Sequence, residues 1–363
     1  MKITDIKLGH LRIPLHKPFK TALRTVTHVE DVLVKIYTDT GAVGYGSAAP
    51  TPSITGDTAD SIRAAIQGPI RKLLTGLVID DFGGLMEKLH AAPVKQTSAK
   101  AAVDGALYDL YGQLQEAPVY KLLGGSRKEF STDITISLNE PEEMVSDSLD
   151  AVGRGFKTLK VKVGGPPEKD IERLKNIRDA VGDTINLRLD ANQGWTPQEA
   201  VHILQTIEDH GIRLELAEQP VKGSDLKGLK FVTDHVAVPI VADESAFSPR
   251  DVSTIIRMRA ADMINIKLMK TGGLYNALKI CTLAEGARME CMIGCMMESR
   301  ISVTAAAHLA GAKSIITRFD LDPPVLVSED PIEGGALYKD DLIILSDEPG
   351  FGFKHIRDSK GRF

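Results

Sequence analysis

The sequence is poor in the features of secreted, membrane-spanning and nucleic-acid-binding proteins. It has only three cysteines in 363 residues, and an odd count argues against a disulfide framework. No apolar stretch is long enough to span a bilayer, and the N-terminus lacks the basic start and apolar core of a signal peptide. Asp and Glu outnumber Lys and Arg by 49 to 44, so no basic field attracts nucleic acid or an anionic membrane.

These absences predict a cytoplasmic protein that binds a small molecule and has neither a nucleic acid nor a membrane as its partner. A reducing compartment suits the unpaired cysteines. Homo-oligomers are common among enzymes of this size, although the sequence carries no interface signature.

The chain is too long for one hydrophobic core, and its pattern changes along its length. The first part alternates apolar and polar residues, which predicts a three-stranded antiparallel sheet, and then becomes helical and Ala-rich up to a Gly-Gly-Ser break at 124–126. We predict a capping domain at 1–125, a second domain at 126–325 that holds the active site, and a C-terminal segment at 326–363 that returns to the capping domain.

Two stretches of the first part, residues 17–28 and 51–57, are polar, Thr-rich and without clean periodicity. They are predicted to be loops. Loops of this length often carry function, so we expect both near the ligand.

Eight short β-type runs recur in the second part, and a stretch with helical character separates each from the next. The ends of five consecutive runs, at intervals of 28, 28, 25 and 24 residues, are Lys162, Asp190, Glu218, Asp243 and Lys267. Each interval fits a strand, a helix and two loops, which is typical of a β/α barrel. A doubly wound open sheet would give similar spacing, but no Gly-rich phosphate loop follows any of these strands.

Three successive strands end in the carboxylates of Asp190, Glu218 and Asp243. The carboxyl ends of barrel strands share one rim, so these groups would converge there and repel one another unless a cation lies between them. Oxygen donors without histidine or cysteine favour Mg²⁺, with Mn²⁺ as a substitute. Any one of them could instead cap a strand or pair with a surface cation, but their matched spacing favours a metal site.

Three lysines are predicted to face the barrel interior, where lysine is rare. Lys160 and Lys162 share parity on the second strand, and Lys267 ends the sixth, diametrically opposite in an eight-stranded ring. A lysine beside a metal and a second ammonium group, which Lys160 would supply, has the lowered pKa that a general base needs. A structural network with the carboxylates, or a Schiff base with a carbonyl substrate, are the alternatives.

The segments KVKVG, LRLDANQGW, EQP, ADES and INIKLMKTGG resemble the muconate-lactonizing subgroup of the enolase superfamily, and the resemblance runs over essentially the whole chain. It implies an α/β fold, the enolase-like modified TIM barrel (β/α)7β with an α+β capping domain. It also implies Mg²⁺ ligation by Asp190, Glu218 and Asp243, acid/base catalysis by Lys162 and Lys267, and electrostatic support by Lys160.

Four other segments, RFDLD, KPFKTALRTV, TPSITGD and GCMMESRIS, resemble the dipeptide epimerases of this subgroup. The resemblance implies an isomerase that inverts the α-carbon of the C-terminal residue of a dipeptide such as L-Ala-L-Glu, by two-base proton transfer through a Mg²⁺-stabilised enediolate. Asp320 and Asp322 would hold the substrate ammonium group, although they could be solvated turn acids, and Arg24 would pair with the glutamyl carboxylate. The remaining implied substrate contacts are Thr135, Lys160, Met297 and Glu298.

Two other functions stay open on the sequence. An N-acylamino acid racemase or o-succinylbenzoate synthase of the same subgroup would use the same catalysts on substrates without a free amine. A non-catalytic ligand-binding barrel that keeps the metal site belongs to a different class of protein. The intact pair of lysines, Lys162 and Lys267, argues against the second of these.

Overall fold

The computed structural model describes residues 1–92 and 95–357. The chain begins with a three-stranded antiparallel sheet in the order β1-β2-β3, as predicted. Its strands are β1 (Ile3–Lys20), β2 (Thr25–Thr38) and β3 (Val43–Ala48).

Both faces of the central strand β2 are buried. Val32 and Val34 belong to the main core, whereas Val29 and Leu33 belong to a second apolar cluster that includes Met297 of the barrel. Because successive side chains of a strand point to opposite faces, β2 packs on two layers at once. The sheet is therefore fixed against the barrel rim.

A helical layer follows the sheet. Its helices are α1 (Ala59–Ala65), α2 (Arg71–Leu74), α3 (Phe82–Ala91), α4 (Thr97–Leu114) and α5 (Val119–Leu122), with a π-helical segment, Ile66–Ile70, between the first two. Helix α4 lies directly on β3. The approach is so close that a Cβ atom at Gly46 would come within 1.9 Å of the Ala102 carbonyl oxygen, and only glycine avoids this clash.

The predicted loop at 17–28 is wrong in extent. Strands β1 and β2 continue through most of it, with Phe19 opposite Val26 and Lys20 opposite Thr25, and only residues 21–24 form the turn. The ring of Phe19 and the side chain of Val26 pack on the second apolar cluster, which stabilises the extended hairpin. The segment 51–57 contains neither helix nor strand, as predicted.

The second sheet consists of eight strands that are hydrogen-bonded in chain order, and neighbouring strands are parallel. They are β5 (Ile134–Ile136), β6 (Thr158–Lys162), β7 (Asn186–Asp190), β8 (Leu216–Glu218), β9 (Ile240–Ala242), β10 (Met263–Lys267), β11 (Cys291–Gly294) and β12 (Ile316–Phe319). All eight predicted strands are present.

Helices separate each of these strands from the next. They are α6 (Pro141–Gly153), α7 (Pro167–Val181), α8 (Pro197–Asp209), α9 (Leu226–His235), α10 (Pro249–Met258), the short α11 (Leu268–Thr271), α12 (Leu274–Ala287) and α13 (Arg300–Ala312), and α14 (Pro323–Leu326) follows the last strand. In the described part of the chain, no helix is both long and apolar enough to cross a membrane.

The first and last strands of the second sheet meet at a seam. The Asp133 N–H donates to the Phe319 carbonyl oxygen at 3.2 Å, and the Arg188 guanidinium donates to the same carbonyl at 3.0 Å and to the Asp133 carboxylate at 2.7 Å. These bonds join β5 to β12. The (β/α)7β barrel with an α+β cap is thus confirmed.

The C-terminal segment contacts both earlier parts. Its strands are β13 (Ile332–Gly334), β14 (Leu337–Lys339), β15 (Leu342–Ile344) and β16 (Phe353–Ile356), and β15 pairs with β4 (Glu129–Ser131), which precedes the barrel strands. The Ser328 N–H donates to the Pro14 carbonyl oxygen at 2.9 Å, and the Phe351 N–H donates to Asp109 of α4 at 2.8 Å. The segment therefore ties the cap to the barrel.

Candidate active site

A pocket lies between the cap and the carboxyl ends of the barrel strands. Its lining residues from the cap are Phe19, Thr21, Leu23, Arg24, Ser53 and Ile54. Those from the barrel are Thr135, Lys160, Lys162, Asn192, Asp243, Glu244, Lys267, Cys295, Met296, Met297, Asp320, Asp322 and Pro323. Most of the residues predicted for the site therefore meet at one pocket.

The three predicted metal ligands lie at the floor of this rim and are almost inaccessible to solvent. Asp190 is directly opposite Glu218 in the pairing of β7 with β8, and Asp243 follows the next strand, β9. None of the three residues is more than 1% exposed. Their convergence follows from their positions at the ends of neighbouring parallel strands, as the sequence predicts.

One oxygen of each carboxylate is held by a separate donor. These anchoring contacts are the Asn192 N–H to Asp190 Oδ1 at 2.9 Å, the Asn265 side-chain amide to Glu218 Oε1 at 2.6 Å, and the Lys270 ammonium group to Asp243 Oδ1. The other oxygen of each carboxylate contacts a lysine of the rim. Each carboxylate thus has one oxygen fixed by its own donor and a second oxygen that contacts a lysine of the rim.

Lys160 lies in the middle of the acidic groups. Its Nζ is 2.6 Å from Glu218 Oε2, 2.6 Å from Asp320 Oδ2 and 3.0 Å from Asp190 Oδ2. Its side chain is 2% exposed, so this ammonium group is screened from water and interacts strongly with all three. The position suits electrostatic support.

Lys162 and Lys267 flank the carboxylates from strands β6 and β10, four strands apart in the sheet. The Lys162 Nζ is 2.5 Å from Asp190 Oδ2, and the Lys267 Nζ is 2.7 Å from Asp243 Oδ2 and 3.6 Å from Glu218 Oε1. Both side chains line the pocket. Two amines therefore reach it from opposite sides of the barrel.

The pKa of Lys267 is raised, whereas the sequence predicts a lowered pKa for a general base. Burial lowers the pKa of Lys267, but the carboxylates of Asp243 and Glu218 outweigh that effect and hold it above its ordinary value. The expected lowering presupposes carboxylates that face a metal ion. Where they pair with the lysine instead, they stabilise its protonated form.

The charges and donor atoms of the rim fit a divalent cation. Six carboxyl groups, of Asp190, Glu218, Asp243, Glu244, Asp320 and Asp322, accompany four amines, of Lys160, Lys162, Lys267 and Lys270. If all were ionised, the formal charge would be −2, which a divalent cation neutralises. Within residues 1–92 and 95–357, the buried Oε2 of Glu244 also has no hydrogen-bond partner.

The donor set at the rim consists of carboxylate oxygens, which is the set that Mg²⁺ prefers. Burial and the neighbouring charge of Asp190 raise the pKa of Glu218 to about 7, although the charges of Lys160 and Lys267 oppose the shift. In the described residues, the acidic side chains pair with lysines and are not drawn together at metal-ligand spacing. The residues present are nevertheless those that would hold Mg²⁺.

Asp320 and Asp322 lie beside β12 on the other wall of the pocket. Both are buried, at 4% and 3% exposure, so they are not solvated turn acids. Asp320 pairs with Lys160, and Asp322 Oδ2 accepts the Thr135 N–H at 2.7 Å. Burial and the charge of Asp320 raise the pKa of Asp322 to about 6.

The remaining predicted contacts fall in different places. Arg24 closes the β1–β2 turn, and burial lowers the pKa of its guanidinium, which has no hydrogen-bond or ion-pair partner within residues 1–92 and 95–357. Thr135 and Met297 line the pocket. Glu298 does not line it, because the buried carboxylate turns away and accepts the Met296 N–H at 2.6 Å.

Several residues of the site were not found from the sequence. Phe19 faces Lys162, with the Nζ 5.9 Å from the ring centroid, and Ile54 also lines the pocket. Asn265 has the same strand parity as Lys267, so parity could have identified it. Lys270 lies beyond the strand, and only the turn of α11 brings it back to Asp243.

Comparison with known proteins gives full-length matches. Residues 3–124 match the model of the mandelate racemase / muconate lactonizing enzyme N-terminal domain, and residues 143–359 match the enolase C-terminal domain-like model. The chain is 59% identical over 358 residues to the L-Ala-D/L-Glu epimerase of Clostridium acetobutylicum, covering 99% of this chain and 100% of that protein.

Two solved structures are closely similar. The substrate-liganded L-Ala-D/L-Glu epimerase of Bacillus subtilis superposes with a TM-score of 0.96 at 47% identity, covering 97% of this chain and 99% of that one. The dipeptide epimerase of Enterococcus faecalis, complexed with Mg and the dipeptide L-Leu-L-Tyr, gives 0.94 at 43% identity, covering 98% and 100%. Because both family models and these relatives extend over almost the entire chain, the protein belongs to the mandelate racemase / muconate lactonizing enzyme family of the enolase superfamily, as its motifs predicted.

Proposed function

We propose that this protein is a dipeptide epimerase that interconverts L-Ala-L-Glu and L-Ala-D-Glu. The observation that carries the proposal is the pair of buried amines, Lys162 and Lys267, which reach one pocket from opposite sides of the barrel. The relatives from Clostridium acetobutylicum and Bacillus subtilis, both named L-Ala-D/L-Glu epimerase, support the choice of substrate.

The reaction is a proton transfer at the α-carbon of the C-terminal residue. One lysine, as the free amine, removes the α-proton from one face, and the other, as the ammonium ion, donates a proton to the opposite face. The carbon configuration inverts, and the net protonation of the two lysines together is unchanged. Lys162 and Lys267 exchange roles in the reverse direction, so each epimer has its own base.

Removal of the α-proton leaves a second negative charge on the substrate carboxylate, as an enediolate. Asp190, Glu218 and Asp243 would hold Mg²⁺, with Mn²⁺ as a substitute, and the bound ion supplies positive charge where this negative charge develops. Lys160, which is fixed among the same carboxylates, adds a further positive charge from the chain itself.

The two ends of the substrate meet groups of opposite charge. Asp320 and Asp322 are buried carboxylates beside the pocket and suit the N-terminal ammonium group of a dipeptide. Arg24 lies in the cap turn with a guanidinium that needs an anion, and the glutamyl side-chain carboxylate provides one. An acylated amine would bring no cation, and the two aspartates would have only the Lys160 ammonium group beside Asp320, which disfavours an N-acylamino acid substrate.

The cap excludes water from the reacting carbon. Phe19 and Ile54 reach the pocket from the β1–β2 hairpin and the segment at 51–57, and Met297 adds an apolar wall from the barrel. An apolar surrounding strengthens every charge interaction in the pocket. The proposed reaction therefore takes place in a desolvated chamber between cap and barrel.

Incubation in D₂O tests the proposal. The protein is mixed with Mg²⁺ and a panel of L,L-dipeptides, and deuterium at each α-carbon is followed by mass spectrometry while chiral chromatography measures epimerisation. We expect both at the C-terminal residue of L-Ala-L-Glu, and none after chelation of the metal with EDTA. Exchange of N-acylamino acids alone, or of no substrate while Mg²⁺ binds, would contradict the proposal.

A further inference from the structure

Lys270 is a fully buried cation that the proposed reaction does not use. Its side chain is 0% exposed, and its Nζ donates to three oxygens: the Asp243 carboxylate Oδ1, the Asp243 carbonyl at 2.6 Å and the Asn265 carbonyl at 2.9 Å. All three ammonium protons are thus satisfied. A buried charge is costly to desolvate, so a lysine with so complete a set of partners indicates a specific role.

The partners of Lys270 connect two parts of the rim. Asp243 follows β9 and is one of the three carboxylates suited to the cation, whereas Asn265 lies in β10, two residues before Lys267. The Lys270 side chain comes from α11, which begins immediately after Lys267. One ammonium group therefore links the Asp243 carboxylate to the backbone that carries Lys267.

The other two carboxylates have equivalent anchors, and Lys270 does not contact either carboxylate. A backbone N–H holds Asp190 Oδ1, and the Asn265 amide holds Glu218 Oε1. The second oxygen of each carboxylate contacts a lysine of the rim. For Asp243 this oxygen is Oδ2, which lies 2.7 Å from the Lys267 Nζ. Without Lys270, Asp243 would lose the contact that fixes its orientation.

We propose that Lys270 is a positioning residue that orients the Asp243 carboxylate, so that Oδ2 is presented as a ligand of the divalent cation and in register with Lys267. The proposal rests on the metal site of the proposed function and assigns it a further residue. It assigns Lys270 no proton transfer and no contact with the substrate. Its effect is geometric and passes through Asp243.

The test is the affinity for Mg²⁺ without substrate, measured by titration calorimetry on the full-length chain. Lys270→Met keeps the length and the apolar stem and removes all three donors, whereas Lys270→Gln retains a donor for Asp243. We expect Lys270→Met to weaken Mg²⁺ binding about 10- to 100-fold, the usual effect of removing a partner of a metal ligand, and Lys270→Gln to weaken it less.

The matched control is Lys230→Met. Lys230 lies on α9 and pairs with Asp234 at 2.9 Å on the surface, so the same chemical change there should leave Mg²⁺ affinity as in the wild type. If Lys270→Met does not fold, as judged by near-UV circular dichroism, Lys270→Gln alone decides the question. Wild-type affinity in a folded Lys270 variant would overturn the proposal.

The direction of the change separates two roles. If Lys270 acted only through its charge, its removal from beside an anionic site would leave Mg²⁺ binding unchanged or tighten it, and either result would overturn the positioning role. If the wild type binds Mg²⁺ but epimerises no dipeptide while Lys270→Met binds more weakly, the positioning role holds and the proposed function fails. If the wild type epimerises dipeptides and Lys270→Met binds Mg²⁺ as tightly as the wild type, the proposed function holds and the positioning role fails.

Discussion

Arg24 is the residue whose surroundings most directly call for a charged ligand. Its guanidinium is partly withdrawn from water, and burial alone lowers its pKa, without any carboxylate partner in the described part of the chain. A desolvated cation without a counter-ion costs free energy, which an anionic substrate group would recover. We therefore expect Arg24 to discriminate between substrates with and without a side-chain carboxylate.

Arg24→Met tests this role, because methionine fills similar space without charge. We expect kcat/KM for L-Ala-L-Glu to fall about 10- to 100-fold, the effect of losing one charge-assisted hydrogen-bonded pair. The value for L-Ala-L-Met should change by less than about threefold, since no carboxylate is present. Initial rates of epimerisation with each dipeptide measure both effects.

The same substitution on the cap surface provides the control. Arg63 lies in α1 beside the exposed Asp60. The Arg63→Met variant should therefore have wild-type kcat/KM for both L-Ala-L-Glu and L-Ala-L-Met. An equal loss for L-Ala-L-Glu and L-Ala-L-Met in Arg24→Met would mean that Arg24 supports the turn at 21–24 and does not select the substrate.

At the residue scale, strand ends explain which site residues the sequence predicts. Asp190, Glu218 and Asp243 end regularly spaced strands, so the repeat alone places them on one rim. The strand repeat does not predict Lys270, because its contact with Asp243 depends on the geometry of a short helix. The orientation of Glu298 away from the pocket likewise depends on a local hydrogen bond to Met296 that no periodicity encodes.

Among the helices, α4 connects the cap to the C-terminal segment through one buried carboxylate. Asp109 accepts the Tyr45 N–H of β3 at 3.0 Å and the Phe351 N–H before β16 at 2.8 Å. Burial raises the pKa of Asp109 to about 7, although these hydrogen bonds oppose the shift. The stability of this junction should therefore depend on pH.

The sign follows from the proton balance. Between about pH 4 and pH 7, the folded protein keeps the proton on Asp109 while the unfolded chain has lost it, so this group's contribution to stability falls as pH rises and is lowest above pH 7. Asp109→Asn removes that titration. We expect the variant to be less stable than the wild type at pH 5 and the gap to narrow by on the order of 1 kcal/mol by pH 8.

Urea unfolding midpoints at pH 5, 6, 7 and 8 measure this gap. Asp209→Asn, an exposed position at the end of α8, should follow the wild type at every pH. A gap between wild type and Asp109→Asn that stays constant or widens with rising pH would show that Asp109 is already ionised in the folded protein.

At the element scale, the sequence predicts the barrel strands better than the cap hairpin. The strands β5 to β12 are short, apolar and separated by helical stretches, so their pattern is local. The extension of β1 and β2 through residues 17–28 depends on cross-strand pairing of Phe19 with Val26 and on packing against a distant apolar cluster. These cross-strand and packing contacts join residues that are distant in sequence, so a short stretch of sequence does not predict them.

For the whole molecule, the pocket requires three parts of the chain that are far apart in sequence. Residues 19–24 and 53–54 come from the cap, and the remainder come from strand ends between residues 135 and 323. The barrel repeat predicts which strand ends meet. The way the cap lies over that rim depends on burial of both faces of β2, and this packing is not predicted from the sequence pattern.

The eight-stranded ring places Lys162 and Lys267 on opposite sides of one pocket, and we propose that they act on opposite faces of one substrate carbon. With Lys162→Ala or Lys267→Ala, epimerisation should fall at least about 10³-fold, because one proton transfer has no partner. The remaining lysine should still remove the α-proton from the epimer that faces it and return a deuteron to the same face. Each variant should therefore exchange one epimer only.

The most direct measurement is deuterium incorporation at the α-carbon of L-Ala-L-Glu and of L-Ala-D-Glu, each incubated in D₂O and Mg²⁺ with the two variants. We predict that Lys162→Ala exchanges one of the two dipeptides without inversion and that Lys267→Ala exchanges the other. Exchange of the same dipeptide by both variants, or epimerisation that survives either substitution, would contradict it.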